Sequence, residues 1–265
     1  MDWQHNSRLR QIETLAYFDK YDYPLTKKEI TFWTSPITHP SVPSLKLREG
    51  KTRGELYFLP GREKIVGIRH QREKYSLLKW GIAYKYATKL AKLPFVEAIF
   101  VTGSLAMNNC KKNDDIDFMV VTEANTLWIV RFLANIIFLK NRRYPNQKQS
   151  PDKICINLWL DTNNLKIKDQ SLYHAHEILQ AKCIFDCGNV QYQFLKQNSW
   201  VKEYLPTVYL SLLKLPSPKL RRGTEGEVFF KIVNYILFVL QYLYMKSKMT
   251  SERVGLGYAF FHPGS

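Results

Sequence analysis

The chain has 265 residues, enough for two or three small domains with a sizeable hydrophobic core. Its formal net charge of +16 is spread along the chain rather than gathered in a tail, and it favours acidic partners such as nucleotides, nucleic acid or an anionic surface. The four cysteines, without a secretory pattern at the N-terminus, argue against a disulfide-stabilised secreted protein, so we expect a cytoplasmic setting.

The first 62 residues show the pattern of a helix, a turn, a second helix and a β-hairpin. Apolar spacing predicts a helix over 7–19, and Thr26 fits the N-cap of a helix from Lys27 to Trp33. Strands are predicted over 45–51 and 55–59. This order resembles a winged helix, which in other proteins contacts either nucleic acid or protein. Binding to nucleic acid would depend steeply on salt and would require these basic residues to reach phosphates: Lys27, Lys28, Lys46, Arg48, Lys51 and Arg53.

A long basic helix is predicted over 63–93, where apolar residues recur at helical spacing. A guanidinium group matches the geometry of phosphate, so Arg69 and Arg72 are candidates for contacts with a triphosphate. The commoner interpretation of such charges is a solvated helix face.

The most informative stretch is a strand, a glycine turn and a second strand that opens with carboxylates. Residues 95–101 are apolar and rich in β-formers, which predicts a buried strand. Gly103 lets the backbone turn sharply and approach a ligand, and Ser104 adds a hydroxyl where an anion is favoured. Residues i and i+2 of a strand share a face, so Asp115 and Asp117 should project together. Paired carboxylates with nearby phosphates suit Mg²⁺.

Gly103-Ser104, a spacer of about ten residues and Asp115-Ile116-Asp117 resemble the signature of the DNA polymerase β type of nucleotidyltransferase. The resemblance implies an α+β fold whose core is a mixed sheet with helices. It also implies that Asp115 and Asp117 bind Mg²⁺ and that Gly103 and Ser104 hold a nucleoside triphosphate, expected to be ATP. Lys111 and Lys112 are further candidates for phosphate contacts from the intervening loop, with simple solvation as the alternative.

The predicted strand over 154–161 departs from that signature. The family usually has a third carboxylate here, whereas this chain has Asn157, which offers an oxygen to a metal but cannot take a proton. Alternation places Asn157 on one face with Cys155, Trp159 and Asp161, and Asp161 lies roughly 13 Å further along. We therefore predict a catalytic set of Asp115, Asp117 and Asn157. A missing acid from elsewhere, such as Glu177 on a predicted helix over 172–183, remains open.

The last hundred residues read mainly as helices, with a Lys- and Pro-rich linker over 212–222. Residues 228–245 are the most apolar stretch of the chain. Lys231, Asn234 and Gln241 interrupt this stretch on one side, so we expect an amphipathic helix against the body or a second copy, giving a homodimer, rather than a membrane span.

Segments along nearly the whole chain resemble a group of bacterial proteins in which a winged-helix-like segment precedes a nucleotidyltransferase domain. The resemblance predicts a winged-helix-like module over 1–62, a nucleotidyltransferase core over 63–168 and a helical region over 169–265. The implied reaction moves a nucleoside monophosphate from an NTP to an acceptor hydroxyl with Mg²⁺. The alternatives are a catalytically silent nucleotide-binding regulator and a nucleic-acid-binding protein that acts through the winged helix.

Overall fold

The computed structural model describes residues 2–35, 51–53, 55–144, 150–214 and 227–261. It is an α+β structure in which two sheets are flanked by helices. The N-terminal elements are α1 (Asp2–Asp19), β1 (Leu25–Thr26), α2 (Lys27–Trp33), β2 (Lys51–Arg53) and β3 (Leu56–Phe58). The three strands form an antiparallel sheet in the order β1-β3-β2. Of the first predicted strand, residues 45–50 lie outside the described part of the chain.

Helix α2 begins where its sequence predicts. The Thr26 hydroxyl accepts a hydrogen bond from the Glu29 amide, and the Glu29 carboxylate accepts one from the Thr26 amide, which completes a capping box. The prediction of Thr26 as N-cap is confirmed. Helix α1 begins five residues before the predicted start, at Asp2.

Helix α3 (Lys64–Leu90) joins the N-terminal segment to the rest of the protein. Arg69, only 7% exposed, donates to both carboxylate oxygens of Glu29 at 2.8 and 2.9 Å. Arg72 donates to the Tyr21 carbonyl and to the Asp22 carboxylate. The prediction that these guanidinium groups contact a triphosphate is wrong, because both are used to hold the N-terminal segment.

The main sheet has six strands among the described residues, in the order β7-β4-β5-β6-β9-β8. Within this sheet β5 and β6 run parallel, and the other neighbours are antiparallel. The elements after α3 are, in chain order, β4 (Val96–Val101), α4 (Gly103–Ala106), β5 (Ile116–Thr122), α5 (Leu127–Ile137), β6 (Ile154–Asp161), α6 (Leu172–Gln180), β7 (Lys182–Asp186), α7 (Val190–Gln197), a 3₁₀ helix (Ser199–Glu203), α8 (Pro206–Leu213), α9 (Glu227–Lys246), β8 (Arg253–Gly255) and β9 (Tyr258–Phe260).

Both faces of the main sheet are covered, which explains why its central strands read as continuous apolar runs. One face packs against α1, α2, α6, α7 and α8, with Met119 and Val121 of β5 in that core. The other face packs against α3, α5 and α9, with Phe118 and Val120 in that core. The candidate site lies where the polar ends of β5 and β6 meet the first of these layers.

Two parts of the secondary structure were not predicted. Residues 182 and 183 belong to edge strand β7 rather than to the end of α6, because Cys183 and its apolar neighbours complete the open edge of β4. The hairpin β8–β9 also adds to the sheet, beside β6.

Two polar residues of helix α9, Asn234 and Gln241, turn towards α5, whereas Lys231 is exposed. Asn234 is 2% exposed and accepts a hydrogen bond from the Trp128 amide at the start of α5, and Gln241 donates to the Trp128 carbonyl. Large apolar side chains of this helix are exposed instead: Phe229, Ile232, Tyr235, Ile236, Leu240, Leu243 and Tyr244. None of the described helices is long and apolar enough to cross a membrane.

Candidate functional site

The turn after β4 brings the backbone against the first residues of β5. The Thr102 amide donates to the Asp117 carbonyl at 3.0 Å. Gly103 has a φ of +60°, and a Cβ added there would lie 2.7 Å from Asp117 Oδ2. A residue with a side chain would therefore be strained and would displace the carboxylate. This position explains why the stretch carries glycine.

Asp115 and Asp117 lie together at the start of β5. One ligand atom from each, with the Cys155 sulfur, forms a group whose atoms all lie within 4.8 Å of one another. Asp115 Oδ2 accepts a hydrogen bond from Arg143 Nη1 at 2.9 Å, and Asp117 Oδ1 accepts one from Asn157 Nδ2 at 3.1 Å. The two carboxylates thus lie close enough together to share one divalent cation.

The electrostatics of this pair favour a cation. Burial, and next the neighbouring charge of Asp115, raises the pKa of Asp117 to about 7. Burial also raises the pKa of the Cys155 thiol far above neutrality, so that it stays protonated. Hard carboxylate oxygens suit Mg²⁺ and a neutral thiol does not, so Asp115 and Asp117 are the residues that fit the metal.

Asn157 reaches Asp117 from an irregular position in β6. Phe118 pairs with Ile156, whereas the next residue, Met119, pairs with Leu158. Asn157 is therefore the extra residue of a β-bulge, and bulges often redirect a side chain next to a site. The predicted common face with Trp159 and Asp161 is wrong, because the bulge reverses the alternation after it.

Asp161 has a structural role instead of a catalytic one. It is 2% exposed and accepts hydrogen bonds from the backbone of Asn125 and Asn163 and from the Asn164 side chain. It therefore cannot replace the third carboxylate that Asn157 lacks.

The loop between the two motifs is organised by Asp114. Its Oδ2 accepts hydrogen bonds from the Ser104 hydroxyl at 3.2 Å and from the Lys111 amide at 2.8 Å. The side chains of Lys111 and Lys112 are exposed, and neither is among the described residues that line the cavity. The structure thus brings Gly103 and Ser104 to the carboxylates but leaves both lysines outside.

A cavity of about 560 Å³ opens beside Asp117, whereas Asp115 and Cys155 are not among the described residues that line it. A cavity of that size suits a nucleotide-sized ligand. Most of the described residues in its wall come from α1 and the following turn, α4, β5, β6 and α6. The described residues that line it are Tyr17, Phe18, Tyr21, Tyr23, Gly103, Ser104, Met107, Asn109, Asp117, Arg143, Asn157, Tyr173, Glu177, Gln180 and Ser251. The N-terminal segment therefore forms part of the wall.

The sequence does not indicate a role for Arg143 in the site, and it leaves the role of Glu177 open. Arg143 follows α5 in a segment that reads as a helix end, and nothing in its local pattern indicates that it pairs with Asp115. Glu177 was one candidate for the missing acid. It lies in the cavity wall, and burial raises the pKa of its carboxyl group.

No protein-family model matches the chain, and no curated protein matches it in sequence. Among solved structures, a chain from a crystal structure of a toxin–antitoxin with AMP-PNP is similar over 63% of this chain and 98% of that chain. The two are 13% identical and the TM-score is 0.24, a likeness too small to carry an argument.

Proposed function

We propose that this protein is a Mg²⁺-dependent nucleotidyltransferase that moves a nucleoside monophosphate from an NTP to an acceptor hydroxyl and releases pyrophosphate. The observation that carries the proposal is the pair Asp115 and Asp117, held within 4.8 Å in a group beside Gly103. Asp117 and Gly103 both belong to the wall of a cavity of about 560 Å³. The resemblance of Gly103-Ser104 and Asp115-x-Asp117 to the polymerase β-type signature agrees with this geometry.

Each residue around the pair has a distinct task. Asp115 and Asp117 would hold Mg²⁺, which neutralises charge on the phosphates. Gly103 and Ser104 line the same cavity, where their backbone would approach the phosphates. Asn157 donates to Asp117 and fixes its orientation, and Arg143 does the same for Asp115.

A catalytically silent nucleotide-binding protein is the second candidate. Asn157 occupies the place of the family's third carboxylate, and its amide donates to Asp117 rather than accepting a proton. Such a protein would bind Mg²⁺ and NTP without releasing pyrophosphate. A third candidate, a nucleic-acid-binding protein, is favoured by the net charge of +16 and by the exposed Lys27 and Lys28.

The test is thermal stabilisation by each of the four NTPs with and without Mg²⁺, followed by measurement of pyrophosphate release. We expect wild type to be stabilised only when Mg²⁺ is present and to release pyrophosphate, and we expect Asp115→Asn and Asp117→Asn to lose both. Glu203→Gln removes an exposed carboxylate from the 3₁₀ helix and is the matched control.

Each other outcome selects a different candidate. Stabilisation without pyrophosphate release from any NTP would support the silent nucleotide-binding protein. Absence of stabilisation, with tight and salt-dependent binding of nucleic acid that Asp117→Asn leaves unchanged, would overturn the nucleotide site altogether.

A further inference from the structure

The Glu177 carboxylate lines the cavity but has no role in the proposed metal site. It lies on α6, is largely buried and has no ion pair or hydrogen bond with another described residue. The chain has 39 lysines and arginines against 23 acidic residues, so a largely buried carboxylate with no cationic partner in the described part of the chain is unexpected. A cationic group of a ligand would favour the charged form of this carboxylate and would supply the partner that the described residues do not.

The two arginines among the described residues that line this region are already paired. Arg143 binds Asp115, and Arg253, which lines a second cavity beside Glu177, binds Asp169. Mg²⁺ at Asp115 and Asp117 would neutralise those carboxylates and would leave Glu177 as the negative group of the wall.

The cavity that contains Glu177 also has aromatic side chains in its wall. Tyr17, Tyr21 and Tyr173 line the same cavity, and the rings of Tyr17 and Tyr21 lie 5.7 Å apart. Burial raises the pKa of all three phenols, and the charge of Glu177 raises each of them further. A carboxylate among tyrosine faces combines an ion pair with cation–π attraction.

The second cavity extends this region. It holds about 100 Å³ and shares Asn157, Tyr173 and Glu177 with the larger one. Its wall also contains Thr102, whose buried hydroxyl has no hydrogen-bond partner among the described residues. Thr102 and Glu177 are thus two residues in the wall of one cavity whose side-chain polar groups have no hydrogen bond to a described residue.

We propose that Glu177, with Tyr21 and Tyr173, binds a primary ammonium group of the acceptor. The acceptor is then an amine that also carries the hydroxyl to be modified, and this assignment rests on the proposed nucleotidyl transfer. The ammonium ion pairs with Glu177 and lies against the tyrosine rings. The rest of the acceptor then extends towards Asp117, in the same cavity.

The experiment measures binding of 1,4-diaminobutane by isothermal titration and saturation-transfer NMR, without Mg²⁺ and without nucleotide. The neutral isostere 1,4-butanediol is the ligand control. We expect saturable binding of the diamine to wild type and at least ten-fold weaker binding of the diol. Glu177→Gln should weaken diamine binding about ten-fold and Tyr173→Leu several-fold, whereas Glu203→Gln should leave it unchanged.

Asp117→Asn separates this subsite from the metal site, and it should still bind the diamine. Diamine binding that is lost in Asp117→Asn but kept in Glu177→Gln would overturn the proposal, since the amine would then occupy the metal position. Equal binding of diol and diamine to wild type would also overturn the proposal, and so would no binding of either. Both outcomes are measured on wild type and do not depend on whether the Glu177 variant folds. The assay contains no NTP, so failure of nucleotidyl transfer is observed separately.

Discussion

The residue with the least freedom in the site is Gly103. Its backbone is in the left-handed region, and the space that a Cβ would occupy already contains Asp117 Oδ2. The same contact places the turn that we propose to bind phosphate next to a proposed metal ligand. A single position therefore sets both the local backbone and the geometry of the carboxylate pair.

Replacing Gly103 by alanine should disable the site and destabilise the protein. The left-handed conformation costs a non-glycine residue about 1–2 kcal/mol, and the new methyl group would displace the Asp117 carboxylate. We expect a lower midpoint of thermal unfolding and no stabilisation by Mg²⁺ with NTP.

Gly81→Ala is the matched control for this substitution. Gly81 is exposed within α3, and a Cβ added there meets nothing within 4 Å. Alanine favours the helix by about 0.5–1 kcal/mol over glycine, so this variant should be slightly more stable and should keep the response to nucleotide. A normal nucleotide response in Gly103→Ala would contradict the close packing described for this turn.

At the scale of elements, a largely buried ion pair between Arg69 and Glu29 joins α3 to the N-terminal segment. Arg69 binds Glu29 of α2 through two hydrogen bonds, lies 4.4 Å from the centre of the Tyr23 ring and donates to the Pro24 carbonyl. Burial alone would raise the pKa of Glu29, but hydrogen bonds from Arg69 and Thr26 outweigh it and hold the pKa below its usual value.

Glu29→Gln should therefore destabilise the protein in a pH-dependent way. Loss of one partner of a buried pair leaves Arg69 poorly compensated, at a cost of about 2 kcal/mol at neutral pH. Because the pKa of Glu29 is lowered on folding, its contribution is complete above the unfolded pKa and is lost as pH falls through the folded one. Urea unfolding from pH 7 to pH 3 should show the wild-type advantage shrinking below about pH 4.3.

Glu73→Gln provides the comparison. Glu73 also accepts a hydrogen bond from Arg69, at 2.9 Å, but its side chain is 40% exposed. An exposed partner contributes about 0.5 kcal/mol or less, so this variant should stay close to wild type at every pH. Equal effects of the two substitutions would show that burial of the pair does not matter.

The elements differ in how far local sequence determines them. Strand β6 and helix α2 have the predicted bounds, because Thr26 caps the helix and an apolar β-rich run defines the strand. The bulge at Asn157 and the edge strand β7 depend on hydrogen bonds to partners distant in sequence, which periodicity does not report. Periodicity also does not indicate the hydrogen bond from Arg143 to Asp115, because these residues are 28 positions apart in the sequence.

At the scale of the whole molecule, the wall of the cavity combines residues from segments that lie far apart in the sequence. Tyr17 and Tyr21 from the N-terminal segment share its wall with Asp117 of the sheet and with Tyr173 and Glu177 of α6. A nucleotide bound there would contact both sides at once. Binding energy should therefore suppress local opening of α1 as well as of the main sheet.

Hydrogen exchange with and without Mg²⁺ and NTP measures this coupling. In wild type we expect slower exchange of amides in α1 and α6, because each contributes side chains to the wall of the cavity. Helix α9 contributes no described residue to that wall and is an internal control that should exchange at the same rate in both conditions. Asp117→Asn should abolish the protection of α1. Protection confined to β5 and β6 would show instead that the N-terminal segment covers the cavity without contacting its ligand.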